Sequence, residues 1–261
     1  MGERALLVVS FGTSYEETRK RTIDAIEADL QKAFPGRTFY RAWTSKFIIA
    51  RLKRETGTAP ATLDEALAAM AADGACDLLV QPTHMMPAIE YQLVVDAVSA
   101  AADRFEHVSM GDALLATDDD CASVAAALDA DFPREDGDMV VLMGHGTSND
   151  TGNEVYAKVQ ACLEARGRED FCIATVEGVP GEDFMLERVD AAAVRTVRLA
   201  PFMIVAGDHA NNDLAGDEED SWKSKLKARG YATQPVLKGM GEYADVRALL
   251  VEHARQARAV K

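Results

Sequence analysis

Three side chains suited to holding a divalent metal follow apolar runs in the second half of the chain: His145 in VVLMGHGTS, Glu177 in CIATVEG and His209 in APFMIVAGDHA. Two imidazoles and a carboxylate form a donor set for first-row divalent metals. Three protein donors would leave positions open for atoms of a substrate. Two imidazoles converging from neighbouring loops could equally share a proton transfer, because histidine changes charge near neutral pH. Spacing alone leaves both chemistries open.

The elements that must position these residues can be read around them. His145 stands between two glycines just past a strand-like run, Val140 to Met143, and helical spacing resumes near Gly152. Ligands of open α/β sheets bind outside the carboxyl ends of the strands. The phrase has an earlier echo in Val8–Ser14, VVSFGTS, and aligning the two GTS turns sets Phe11 opposite His145. Aligning Gln81-Pro82 with Ala200-Pro201 sets Glu90 opposite His209. The first half therefore repeats the framework with different residues at its strand ends: Ser10, Phe11 and Thr13, then His84 and Glu90 in QPTHMMPAIEY. Glu90 opens a helix, where the macrodipole favours a carboxylate. Both turns, Gly12-Thr13-Ser14 and Gly146-Thr147-Ser148, resemble anion cradles. Neither has the lysine of a P-loop or the spacing of a dinucleotide fingerprint, so no nucleotide is expected. A histidine phosphatase would carry an arginine before its histidine, where this chain has Gly144.

In order, apolar runs of strand length are expected at Ala5–Phe11, Thr38–Trp43, Asp77–Gln81 and His107–Leu115, then at Met139–Met143, Phe171–Glu177, Val194–Ile204 and Tyr231–Leu237. Helical periodicity falls between them, as at Ile23, Ile26, Leu30 and Phe34. Thr62-x-x-Glu65 is a capping-box pattern. Alternating strand and helix predicts parallel sheets covered on both faces. The expected architecture is two similar Rossmann-like halves, each a four-stranded parallel sheet flanked by helices, with a cleft between them. The polar PREDGD stretch, Pro133–Asp138, suggests the division: residues 1–133 as the N-terminal half, 134–241 as the C-terminal half with the metal site, and 242–261 as a helix packing back on the first half.

Composition narrows the partners. The 261-residue chain carries a formal net charge of −15, which argues against nucleic acid, since phosphate binding needs a basic footprint. Against that background Arg41, Lys46, Arg51, Lys53 and Arg54 stand out, and Lys46 and Arg54 are candidate contacts for a carboxylate-rich substrate. The acidic run Asp208–Asp220 reads as the start of the helix carrying Trp222, with a second role of drawing a cation toward His209. Four scattered cysteines without a C-x-x-C pair suit buried small hydrophobes in a reducing compartment. MGERALLVVSFG lacks the features of a signal peptide and no run reaches membrane-spanning length, so a cytoplasmic protein is expected. Nothing in the pattern decides for or against a homo-oligomer.

Taken together, VVSFGTS, VVLMGHGTSN, VEGVPG and AGDHANNDLAGDEEDSWK resemble the CbiK-type family of anaerobic cobalt chelatases acting on sirohydrochlorin. The resemblance spans essentially the whole chain. It implies the class II chelatase fold and ATP-independent insertion of Co2+, the substrate metal, into sirohydrochlorin for cobalamin biosynthesis. It also implies that His145 is general base and metal ligand, that His209 and Glu177 complete the metal set, and that Glu90 is the acidic residue of the opposite wall. The family segment often has a glycine before that acid, whereas Pro87-Ala88-Ile89 stands here. Ser10, Phe11, Thr13, His84, Lys46 and Arg54 are the candidate substrate contacts. The competing readings are insertion of Fe2+ or Ni2+, a ferrochelatase for sirohydrochlorin or another tetrapyrrole, and a two-lobed metal- or solute-binding protein. The last of these would normally carry an export signal.

Overall fold

The computed structural model describes residues 3–147 and 150–260. Ser148 of the second GTS turn lies outside them. Chain contacts divide the molecule into two units, one running to Ala116 and resuming at Arg247, the other Thr117–Val246.

The first unit holds a six-stranded sheet. Its strands are β1 (Glu3–Ser10), β2 (Thr38–Trp43), β3 (Ala61–Thr62), β4 (Ala75–Pro82), β5 (His107–Met110) and β10 (Arg258–Ala259), in the order β10-β5-β4-β1-β2-β3. β1 is central because ALLVV can be buried on both faces. Ala5, Leu7 and Val9 pack with Leu67, Met70, Val94 and Val98 of the helices Leu63–Ala72 and Ile89–Ala101, while Leu6 and Val8 are buried in the opposite sense of the pleat. Thr62 caps Leu63–Ala72 through the expected box, accepting from Glu65 N–H while its own N–H donates to Glu65 Oε2 at 2.8 Å.

The second unit holds β6 (Asp138–Gly144), β7 (Phe171–Thr175), β8 (Thr196–Pro201) and β9 (Ala232–Pro235), all parallel in the order β7-β6-β8-β9. Met139, Val141 and Met143 of β6 share a core with Cys172, Ala174, Met185, Val189, Leu199 and Trp222. The internal repeat is visible in the strand order: β1, β2, β4 and β5 occupy the places of β6, β7, β8 and β9. In each unit the chain leaves the central strand on one side and returns on the other. The switch points therefore lie between β1 and β4 and between β6 and β8, where α/β sheets open a binding crevice.

The structure corrects several expectations. The first sheet is not a four-stranded parallel one: β3 extends it, and β10 joins antiparallel to β5 through Arg258↔Met110. The division falls before the helix Asp118–Asp131 rather than at residue 133. That helix is tied to the second unit by Arg168, a buried guanidinium bonded to Asp129 at 2.6 Å and to the Phe132 carbonyl at 2.8 Å, and by edge-on packing of Phe132 against Phe171. The second division falls inside the helix Ala244–Arg255, and Arg247 pairs with Asp29 of the first unit at 2.7 Å. β5 stops at Met110, and the chain beyond it is held by bonds from Leu114 N–H to the His84 carbonyl and from Leu115 N–H to that of Met85. β8 ends at Pro201 rather than Ile204. The helix carrying Trp222 starts at that residue, capped by Ser221, so Glu218–Asp220 precede it. Among the described residues no helix is long and apolar enough to cross a membrane.

Candidate metal centre

β6 ends at Gly144, and the turn that follows is built to project one imidazole. Gly146 takes φ +84°, which reverses the chain directly after His145. His145 Nδ1 lies 3.0 Å from the Gly146 carbonyl, so its N–H donates there and Nε2 is left with a lone pair to offer. The ladder between β6 and β7 continues past both strand ends: Val176 N–H donates to the Gly144 carbonyl at 3.0 Å and Glu177 N–H to that of His145 at 2.8 Å. This continuation carries the Glu177 carboxylate to within 4.0 Å of His145 Nε2.

The third residue arrives from β8. Phe202 N–H still bonds to the Met143 carbonyl, after which the chain turns away and enters a short π-helical turn, Ala210–Leu214, preceded by His209. The turn places Asp213 under His209, with Oδ2 2.7 Å from Nδ1. A carboxylate bonded to one imidazole nitrogen fixes the tautomer and makes the other nitrogen a better donor to a metal. The two rings stand at 84° with centroids 4.9 Å apart. One ligand atom each from His145, Glu177 and His209 lies within 4.8 Å of the others. Donors bound at roughly 2.0–2.2 Å around a tetrahedral ion would stand about 3.4 Å apart. The trio is thus close to an ion-sized gap and open on its solvent side, since His145 and Glu177 are exposed.

The first-unit candidates divide into exposed and interior residues. Phe11 is 45% exposed at the end of β1, and Glu90 is exposed in the first turn of Ile89–Ala101. Lys46 and Arg54 lie exposed near opposite ends of the helix Lys46–Thr56, whose Arg51 pairs with Glu55 at 3.0 Å. Arg41 does not belong with them: its guanidinium is engaged by Asp24 and the buried Glu27. Ser10, Thr13 and His84 are interior. The Thr83 hydroxyl donates to Ser10 at 2.9 Å, and Thr13 Oγ1 accepts from Tyr15 N–H. His84 is folded inward by the pairing of 84–85 with 114–115, so it presents no nitrogen at the surface as a substrate contact would require. Neither ring nitrogen has a partner, and burial pushes its pKa down to about 4.

Three supporting residues escape sequence reasoning. Asp213 has a legible signal, a carboxylate four residues after a candidate ligand, but it is hidden in an acidic run whose other members include Asp217, paired with Lys223. Asn153 and Tyr156, which bond to the turn of His145, have no such signal.

Two α/β units of matching strand order, one with a His/Glu/His set at its switch point, define a chelatase-type architecture. SirB from Bacillus subtilis with Fe3+ superposes with a TM-score of 0.67 at 13% identity, over 97% of this chain and 95% of that one. A multi-domain Deinococcus radiodurans protein described as structurally similar to chelatases does so at 0.62 and 14%, over 98% of this chain and 55% of that one. Sequence takes the assignment further, because the profile of the cobalt chelatase (CbiK) family matches residues 4–259. The chain belongs to that family. It is 37% identical to the sirohydrochlorin cobaltochelatase of Salmonella typhimurium over 98% of this chain and 96% of that one. To sirohydrochlorin cobaltochelatase CbiKC of Nitratidesulfovibrio vulgaris it is 31% identical, over 98% and 91%.

Proposed function

We propose that this protein inserts Co2+ into sirohydrochlorin without a nucleotide, as a cobaltochelatase of anaerobic cobalamin biosynthesis. The observation that carries the proposal is the convergence of His145, Glu177 and His209 from three consecutive strand ends. Insertion replaces two pyrrolic N–H protons by one divalent ion, so the site must deliver a partly desolvated metal and take up two protons. His145 Nε2, His209 Nε2 and the Glu177 carboxylate serve as the metal donors. As ring nitrogens replace them, the lone pair freed on His145 Nε2 accepts one pyrrole proton, a transfer that contributes on the order of 10²–10⁴ in rate. Glu90 is assigned the second proton. Phe11 offers an exposed ring to the apolar macrocycle, and Lys46 and Arg54 offer charge to its carboxylates. Ser10 and Thr13 are buried and bond within the first unit, to Thr83 and to Tyr15 N–H. The four cysteines are free thiols, which fits a reducing, cytoplasmic setting.

The test is anaerobic incubation with sirohydrochlorin and Co2+, following the absorption of the ring, with Fe2+ and Ni2+ in parallel because His/His/Glu donors discriminate weakly among these ions. Catalysed formation of cobalt-sirohydrochlorin supports the proposal. A rate equal to the protein-free control overturns it.

A further inference from the structure

The two loops that supply His145 and Glu177 touch through backbone, and one buried amide braces the contact. Asn153, on the helix Asp150–Ala165, is 7% exposed and spends both ends of its carboxamide on a single residue. Thr147 N–H donates to its Oδ1 at 3.1 Å, and its Nδ2 donates to the Thr147 carbonyl at 2.8 Å. One turn further along, Tyr156 Oη accepts from Gly146 N–H at 3.0 Å. The His145 turn is thus pinned to this helix on its far side and to Glu177 N–H on its near side.

The glycines show how little slack remains. A Cβ on Gly146 would lie 2.5 Å from Gly178 N, and one on Gly178 would lie 2.7 Å from Asn153 Oδ1 and 3.0 Å from Thr147 N. Backbone meets backbone at this point, and no side chain separates the loops. The Asn153 amide therefore backs the His145 turn and abuts the residue directly after Glu177. A residue that only filled space would need neither a two-point bond to Thr147 nor contact with both loops.

We infer that Asn153, seconded by Tyr156, is a positioning residue that fixes the separation of His145 and Glu177 and thereby sets the affinity for Co2+. The inference rests on the metal-site reading above. Residues that orient metal ligands typically change metal affinity about 10- to 100-fold when altered. Loss of a single neutral hydrogen bond corresponds to roughly 2- to 10-fold.

The test uses Asn153→Ala, Asn153→Asp and Tyr156→Phe in the full chain. Co2+ binding is read from visible absorption of the metal in the absence of sirohydrochlorin. Rates are then measured with Co2+ varied at saturating sirohydrochlorin, and the reverse. Asn153→Ala should raise half-saturating Co2+ about 10- to 100-fold, recover its turnover at high Co2+, and keep KM for sirohydrochlorin within about twofold. Asn153→Asp, which keeps the acceptor for Thr147 N–H and loses the donor, should fall between. Tyr156→Phe removes one oxygen and should shift half-saturating Co2+ by roughly 2- to 10-fold; it carries the test if Asn153→Ala does not fold. Half-saturating Co2+ within twofold of wild type in the folded variants overturns the inference, as does lost turnover that excess Co2+ does not restore. Failure of the chelatase reading looks different: the wild type would bind Co2+ with the same Asn153 dependence yet form no cobalt-sirohydrochlorin. A wild type that binds no Co2+ at His145 would sink both.

Discussion

Replacing the buried His84 with leucine should make the first unit less sensitive to mild acid. Burial holds His84 at about 4 in the folded chain, with no hydrogen-bond partner for either ring nitrogen. In the unfolded chain an imidazole titrates near its ordinary value, about 6.5. The unfolded state therefore binds a proton between about pH 6.5 and 4 that the folded state refuses. Stability is complete above about 6.5 and falls as the pH drops toward 4. At roughly 1.4 kcal/mol for each pH unit across that gap, the loss reaches about 3 kcal/mol at its acid end. Leucine removes both the titration and two unpaired buried polar atoms, so the variant should be at least as stable as wild type at pH 7.5. Urea unfolding of both proteins at half-unit steps from pH 7.5 to 4.5 isolates the effect, because the carboxylates common to both cancel in the difference. The stability of His84→Leu relative to wild type should rise by about 2–3 kcal/mol over that range, with KM for sirohydrochlorin unchanged. Parallel stability curves would refute the reasoning.

Other perturbations bear on the site. His145→Ala and His209→Ala should fold as wild type and lose turnover at limiting Co2+, the first by at least about 10²-fold; near wild-type rates in an assay with Co2+ below saturation would remove either from the mechanism. Asp213→Asn keeps the shape beside His209 but gives up the anionic acceptor for Nδ1–H, so half-saturating Co2+ should rise about tenfold with unchanged KM for sirohydrochlorin. Lys46→Gln combined with Arg54→Gln should raise KM for sirohydrochlorin with little change in kcat, as expected for charge that binds substrate and transition state alike; steady-state kinetics at two salt concentrations check it.

The framework was legible because its signals are local and repeated. Apolar runs such as ALLVV and MVVLM, of strand length and alternating with helical patterns, read as strands buried on both faces, and the two GTS turns announced the repeat that the strand order bears out. What escaped depends on long-range pairing. β10 is two residues long and exposed, and only its partner β5 makes it a strand. The division of the chain depends on long-range packing too: the helix Asp118–Asp131 packs on the helix Asp150–Ala165 and is tied to the second unit by Arg168, which bonds to Asp129 and the Phe132 carbonyl. The trio His145, Glu177 and His209 was readable because each follows a strand. His84 follows one as well, yet the pairing of Leu114 and Leu115 with that segment turns it inward. Strand ends mark candidates, and the neighbouring segment decides which of them face solvent.

The repeat also shows why the candidate metal donors gather in one unit. The first unit ends its central strand in Ser10-Phe11-Gly12, the second in Gly144-His145-Gly146. Below these turns the strand orders match, so the two units differ in the residues that the turns carry. A structural metal site closes four ligands around its ion. The second unit gathers three, with donor atoms spread over up to 4.8 Å and both His145 and Glu177 exposed. In the proposed insertion, such a set leaves coordination positions for the nitrogens of an incoming ring. The supporting bonds are placed accordingly. Asp213 orients His209, the Gly146 carbonyl orients His145, and Asn153 braces the turn between His145 and Glu177, while no further protein donor completes the sphere among the described residues. The side chains are held in orientation while the donor set stays at three, the arrangement that the proposed insertion of a metal into a ring requires.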